Sequence, residues 1–172
     1  MKQEQLDALL QEPIVGVIAT LRRNGMPYTV PAWWLWKDGA FWLTGTYNRV
    51  WCKQLMHDPR MSLCVDVRSG KAAHFEVDGT AQPLELPDFD IWPVSRELAD
   101  KYIGRGDPSN VDAVDAFLTN MKTEPRLLFK LTPETWRAID LSVYRGKRAD
   151  REYQAGSRTR ERLAYRASRQ GL

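Results

Sequence analysis

The sequence lacks the motifs by which most hydrolases, nucleotide-binding enzymes and metalloproteins are recognised. It contains no P-loop and no GxGxxG, GxSxG or HExxH motif. The two histidines, His57 and His74, have no metal-ligand cluster around them. Hydrolytic and metal-dependent chemistry are therefore not expected. The two cysteines, Cys52 and Cys64, belong to no CxxC pair, and we expect both to be reduced.

Long apolar runs are also absent. No segment approaches the roughly 20 apolar residues that a membrane helix needs, and the polar residues 1–5 do not resemble a signal peptide. The sequence therefore predicts a cytoplasmic protein that does not associate with membranes. A length of 172 residues with 43% apolar content suffices for one domain with one core.

The net charge of +3 is unevenly distributed along the chain. From residue 145 onward there are nine Lys and Arg against three Asp and Glu, a net of +6, which leaves 16 against 19, a net of −3, for the rest. We therefore divide the chain into a domain, residues 1–144, and a basic C-terminal tail, residues 145–172. Because the domain is acidic and the tail has no aromatic platform beyond Tyr153 and Tyr165, no nucleic-acid partner is predicted.

Turn signals divide the domain into short antiparallel strands. The dipeptides Asn24-Gly25 and Asp38-Gly39 are typical of tight hairpins, and Asp78-Gly79 indicates a bulge. The alternation of apolar residues predicts strands at residues 16–21, 28–36, 40–44, 60–67, 72–86, 126–131 and 135–141. Helical spacing predicts helices at residues 3–12, 46–57, 94–103 and 111–121, with Tyr47, Trp51 and Leu55 on the inward face of the second.

One segment combines a strand end with a basic helix start. Thr44, Gly45 and Thr46 lead into the predicted helix at residues 46–57, whose free N–H groups and dipole favour an anion. Arg49 and Lys53, four residues apart, share one face of this helix and could contact a phosphate. The same pattern is also typical of an ordinary capped helix with two solvated cations.

Tryptophan is abundant, with seven in the chain. Trp33, Trp34, Trp36 and Trp42 fall on neighbouring predicted strands, with Trp51 on the helix that follows. Flat aromatic side chains suit a planar heterocycle, although strand alternation also places half of such rings in a core. Pro31 within a strand indicates an edge or a broken ladder.

Taken in order, these segments resemble the pyridoxamine 5'-phosphate oxidase-like split barrels. The similarity extends over residues 1 to about 141 and depends on the order of the blocks, since each is weak alone. The blocks are GVIAT at 16–20, NGMPY at 24–28, VPAW at 30–33, DGAFWLT at 38–44, Leu55 with DPRMSL at 58–63, and VDGTA at 77–81. Residues 125–140 resemble the end of the deazaflavin and flavin reductase branch.

The resemblance implies a mainly β protein with helices: a six-stranded antiparallel Greek-key split β-barrel with helical insertions, homodimeric. It also implies FMN, or alternatively the deazaflavin coenzyme F-420, in a cleft at each subunit interface. Carried over residue by residue, it assigns the isoalloxazine ring to Val30, Pro31, Ala32 and Trp33. It assigns the phosphate end to Thr44, Gly45, Thr46 and Arg49, with Lys53 nearby.

The chain departs from the family pattern at this helix. The adjacent Arg-Lys pair of many members falls here on Val50 and Trp51, so that Arg49 and Lys53 would substitute for it. The C-terminal substrate residues of the true oxidases are not recognisable, so vitamin B6 oxidation is not expected.

The resemblance implies a flavin- or deazaflavin-dependent oxidoreductase that passes a hydride to or from a small-molecule substrate. No side chain is predicted to be catalytic, because the cofactor carries the chemistry. The alternative is a non-enzymatic carrier or binding protein for flavin or heme.

Overall fold

A computed structural model describes residues 1–67 and 73–141 of the chain. The described part is a mainly antiparallel sheet with helices. The strands are β1 Gly16–Leu21, β2 Pro27–Ala32, β3 Leu35–Lys37, β4 Ala40–Thr46, β5 Arg60–Val67, β6 Ala73–Leu84 and β7 Arg126–Asp140. The α-helices are α1 Gln3–Gln11, α2 Val50–Leu55, α3 Trp92–Ala99 and α4 Val111–Met121. The predicted tail, residues 145–172, lies outside the described residues.

The sheet closes on itself as a split barrel. Its strand order is β2-β1-β5-β6-β7-β4-β3, and all pairs are antiparallel. The end strands β2 and β3 are joined by Trp33 and Trp34 alone, so the two edges of the sheet meet at this corner. The resemblance implies six strands, and the structure has seven. The predicted strand 28–36 is divided into β2 and β3, whereas the last two predicted strands form the single strand β7. The predicted fold class, a mainly β split barrel with helices, is confirmed, and the homodimer stays a prediction.

Two predicted strands near the end of the domain are in fact one. Residues 126–131 and 135–141 were predicted separately, but β7 runs without interruption and pairs with both β4 and β6. The predicted bulge at Asp78-Gly79 is confirmed by a register shift at these residues. Gly79 pairs with Pro133 and Asp78 with Thr135, so Glu134 is the extra residue that the bulge accommodates.

The helix after β4 is shorter than the prediction of residues 46–57. The strand continues to Thr46, and a turn closed by the Arg49 N–H and the Thr46 carbonyl, 3.1 Å apart, precedes α2. Trp51 and Leu55 face the core as predicted, but Tyr47 lies in the turn and is exposed, so its assignment to the inward face was wrong. The strand ladder to β7 competes with the helix for these residues and determines where it starts.

The helices form a cap over one side of the barrel, as predicted. α3 continues into a π-helical turn, Asp100–Gly104, and α4 packs against it through Val114, Leu118 and Met121. Within the barrel, alternate residues of β5 and β6 are buried together with apolar residues of β1, β4 and β7. No helix in the described residues is long and apolar enough to cross a membrane.

The Tyr102 hydroxyl connects the cap to the corner of the barrel. It accepts a hydrogen bond from the Trp34 N–H at 3.1 Å and donates to the Ile14 carbonyl at 2.9 Å, with the Trp34 carbonyl at 3.2 Å. The Tyr102 ring stacks on Trp33 with centroids 4.7 Å apart and planes 1° from parallel. Burial raises the pKa of Tyr102 to about 12, so the hydroxyl keeps its proton.

Removing this hydroxyl should destabilise the fold. Tyr102→Phe leaves the buried Trp34 N–H and the Ile14 carbonyl without their partner, which costs about 1–3 kcal/mol of unfolding free energy. Urea denaturation measures the change. Tyr28→Phe is the matched control, because Tyr28 is half-buried and no hydrogen bond of its hydroxyl is found among the described residues. Equal small changes in both variants would contradict the role given to Tyr102.

Candidate functional site

The segment predicted to hold the cofactor ring lies at an edge of the sheet. β2 pairs with β1 and stands at the end of the strand order. Val30 and Ala32 are half-buried against the core, and Pro31 faces outward and is exposed. The edge position predicted from Pro31 is confirmed: the missing N–H of this residue is tolerated at an edge strand.

An apolar area lies on the outer face of the sheet beside this edge. Val17 is opposite Pro31 on one side and Cys64 on the other. Val17 is 44% exposed and Val15 is 47% exposed, and the Cys64 side chain also faces outward. We call Val15, Val17, Pro31 and Cys64 the outer patch. Exposed apolar residues that adjoin one another are typical of a binding surface.

Most of the tryptophans serve the core. Trp34, Trp42 and Trp51 are buried, and Trp51 packs against Phe129 with centroids 5.2 Å apart. Trp33 is half-buried and stacked on Tyr102. Trp33, the last residue of the predicted ring segment, is thus held by stacking, and the three buried tryptophans have a packing role.

Thr44, Gly45 and Thr46 all lie in β4, and each pairs with a residue of β7. The Thr44 hydroxyl is 3.5 Å from the Leu127 carbonyl, and Thr46 is buried. Gly45 is required for packing: a Cβ at this position would lie 2.3 Å from Cys52 Sγ and 2.7 Å from a ring atom of Trp51. The absence of a side chain thus allows α2 to approach β4 closely.

The predicted cations lie at the surface of the same region. Arg49 and Lys53 are exposed, and neither forms an ion pair within the described ranges. Since α2 has six residues, its dipole is too short to be the main attraction for an anion. The side-chain charges, rather than the helix start, carry the predicted anion site.

Arg126 is a further cation at this place, which the sequence reasoning did not include. It is opposite Thr46 in the β4–β7 ladder and half-buried, and its guanidinium donates to the Met121 carbonyl at 3.1 Å. Burial is the main cause that lowers its pKa; the positive charge of Arg49 lowers it further, while Glu124 raises it. Because Arg49 follows Thr46 by three residues, Arg126 adds a third cation to the region at the end of β4.

A groove of about 470 Å³ lies beside Arg126. Its lining combines aromatic and apolar side chains with charged ones: Tyr47, Glu85, Leu86, Ile91, Trp92, Lys122, Thr123, Glu124, Pro125 and Arg126. The donors on this side of the barrel are guanidinium and ammonium groups, which match phosphate oxygens. The residues present therefore fit the phosphate end of a flavin-type cofactor. The described residues contain no cluster of metal-ligating side chains.

The described residues form a split barrel with an exposed edge strand, an apolar outer patch and cations that form no ion pair there. Sequence comparison identifies the protein family. The family model of pyridoxamine 5'-phosphate oxidase matches residues 3–140. The chain therefore belongs to this family, and the resemblance noted from the sequence is confirmed. No curated protein matches the chain significantly.

Solved structures show the same fold. A conserved hypothetical protein from Mycobacterium tuberculosis is 20% identical over 81% of this chain and 85% of its own, with a TM-score of 0.66. An F420 reductase is 21% identical over 76% and 94%, with a TM-score of 0.57. The heme storage protein HutZ from Vibrio cholerae is 16% identical over 80% and 93%, with a TM-score of 0.60.

The close approach at Gly45 provides a test of how α2 is held. Gly45→Ala should lower the unfolding free energy by about 1–3 kcal/mol, because the added methyl group overlaps Cys52 and Trp51. Adding Cys52→Ala removes the closest atom, so the double variant should be more stable than the two single effects predict. Urea denaturation of all variants measures this coupling.

Cys64→Ala is the control for the second substitution, since Cys64 lies on the outer face of β5. Its effect should simply add to that of Gly45→Ala. If the stability effects of Gly45→Ala and Cys52→Ala were also additive, the result would show that Gly45 is not needed for the approach of α2.

Proposed function

We propose that the protein is a flavin- or deazaflavin-dependent oxidoreductase with FMN or the deazaflavin coenzyme F-420 as its cofactor. The observation that carries the proposal is the position of Arg49 and Arg126 at the end of β4, where neither forms an ion pair within the described residues, on a barrel of this family. The F420 reductase among the structural relatives adds support. The bound cofactor would accept a hydride from one small molecule and donate it to another.

The residues of this chain would bind and orient the cofactor. Arg49, Arg126 and Lys53 supply charge for the phosphate, and Thr44 and Thr46 supply hydroxyl groups near it. Val30, Pro31 and Ala32 give a rigid edge for the ring, and Trp33 is fixed beside them by its stacking on Tyr102. In this proposal no side chain acts as an acid or base, and the protein's contribution is orientation and exclusion of water.

We further propose that the active form is a homodimer in the cytoplasm, with the outer patch at the interface. Light scattering should give twice the chain mass of 19.8 kDa. Val17→Glu places a charge among exposed apolar side chains and should shift the protein to the monomer. Gln82→Glu is the matched control, because Gln82 is exposed on β6, where it pairs with Lys130. A monomeric wild type at micromolar concentration would contradict the dimer.

The phosphate end can be tested by binding. Arg49→Ala should weaken FMN or F-420 binding about ten- to a hundred-fold, since a charge-assisted contact contributes about 1.5–3 kcal/mol. Riboflavin, which lacks the phosphate, should bind the variant and the wild type almost equally. Fluorescence titration of both proteins with each ligand measures the effect, and Lys53→Ala should behave like Arg49→Ala.

Unchanged FMN and F-420 affinity in both variants would show that these cations are merely solvated. A loss of riboflavin binding in parallel would indicate general damage to the fold instead.

An absorption spectrum after incubation with FMN, F-420 or heme identifies the cofactor. Turnover of the reduced cofactor supports the oxidoreductase, whereas a bound chromophore without turnover supports the alternative, a carrier for flavin or heme. Heme is included among the tested ligands because a heme storage protein is among the structural relatives.

A further inference from the structure

A second groove with a basic lining runs along α2, and it shares Lys53 with the predicted phosphate end. This groove has a volume of about 310 Å³ and lies between the β1–β2 turn and α2. Its lining residues are Leu21, Arg22, Arg23, Val50, Lys53, Gln54 and His57. We call it the basic groove. Three of its seven lining residues carry a permanent positive charge, one is a histidine and none is acidic.

Two structural elements bring these charges together. Arg22 and Arg23 follow the end of β1, and the turn that carries them is closed by the Arg22 N–H on the Met26 carbonyl at 2.9 Å. Lys53 and His57 are four residues apart on α2 and the turn after it. This spacing places both side chains beside the turn that carries Arg22 and Arg23.

The carboxylate that follows His57 in sequence is already bonded to another cation. Asp58 is engaged by Arg60, whose Nη2 lies 2.7 Å from Asp58 Oδ2 and whose Nε lies 3.0 Å from Oδ1. These bonds lower the pKa of Asp58 to about 2. Within the described part of the chain, Arg22, Arg23 and Lys53 form no ion pair.

Two contacts orient polar groups of the groove. The Gln54 side-chain oxygen accepts a hydrogen bond from the Thr20 hydroxyl at 2.6 Å, which leaves the amide N–H groups of Gln54 as donors for a ligand. The guanidinium of Arg22 lies 5.4 Å from the centroid of the Tyr28 ring, a cation–π contact that restricts its motion. The groove thus offers oriented donors as well as charge.

We propose that the basic groove binds an anionic ligand that carries more than two negative charges. A phosphate monoester has a charge of about −1.5 to −2, which is smaller than the charge of Arg22, Arg23 and Lys53 together, even with His57 neutral. An oligophosphate or a chain of several carboxylates matches the groove better. Such a group could belong to a free molecule or extend from a cofactor, and the experiment below separates these two sources.

The first measurement uses the protein without cofactor and inorganic tripolyphosphate as the probe. The imidazole NMR signal of His57 should shift saturably, with tripolyphosphate binding about ten-fold more tightly than orthophosphate. The double variant Arg22→Gln/Arg23→Gln should weaken tripolyphosphate binding about ten-fold, because each exposed ion pair contributes up to about 1 kcal/mol. Lys2→Gln/Lys130→Gln, which removes the same charge elsewhere, should bind like the wild type.

The second measurement identifies the source of the anion. Affinity is compared for FMN, for F-420 with its oligoglutamyl tail, and for the deazaflavin without that tail. If the anion extends from the cofactor, Arg22→Gln/Arg23→Gln should weaken only the tailed coenzyme. If it is free, all three affinities should stay unchanged while tripolyphosphate binding is lost.

The proposal is overturned if tripolyphosphate does not shift His57 in the wild type, or if it binds both double variants equally well. Neither result depends on cofactor binding, so failure here is distinguishable from failure of the proposed oxidoreductase function. Circular dichroism of each variant confirms that it is folded.

Discussion

The fold depends on how the barrel is held at the point where its sheet is split. β2 and β3 are opposite ends of one sheet, and Trp33 and Trp34 alone connect them. Neither residue belongs to a strand ladder, so the Trp34 N–H must find its partner elsewhere. The Tyr102 hydroxyl provides it, and the same hydroxyl bonds Ile14 in the segment before β1. The cap is therefore part of the barrel's closure rather than an addition to it.

Local sequence signals predicted most of the strands and helices but not the residues at which they begin and end. Asn24-Gly25 and Asp38-Gly39 carry positive φ angles at both glycines, which is the conformation that makes these dipeptides good turn predictors. The break at Trp33-Trp34 has no such signal, because it results from contacts with Tyr102, which lies 68 residues further along the chain. The uninterrupted β7 likewise depends on its partner β6, which pairs with β7 on both sides of the extra residue Glu134.

Only part of the candidate site could be predicted, because pairing between distant segments brings some of its residues together. Arg49 and Lys53 could be found from their spacing near a strand end, and Pro31 from its effect on a ladder. Arg126 could not be placed with them, since it joins them only through the pairing of β4 with β7. The Pro125-Arg126 start of the last strand was the available signal, but nothing in the sequence near it indicates which strand it pairs with.

Close packing, rather than any feature of the surface, determines where the cations lie. Gly45 allows α2 to contact β4, and Cys52 and Trp51 fill the space that a side chain would need. Burial raises the pKa of the Cys52 thiol to about 12, so it packs as a neutral group. Because α2 is fixed in this way, Arg49 precedes it at the end of β4 where Arg126 pairs with Thr46, and Lys53 one turn later lines the basic groove with Arg22 and Arg23. One short helix thus presents positive charge at both of its ends, and a ligand with anionic groups at two positions could use both.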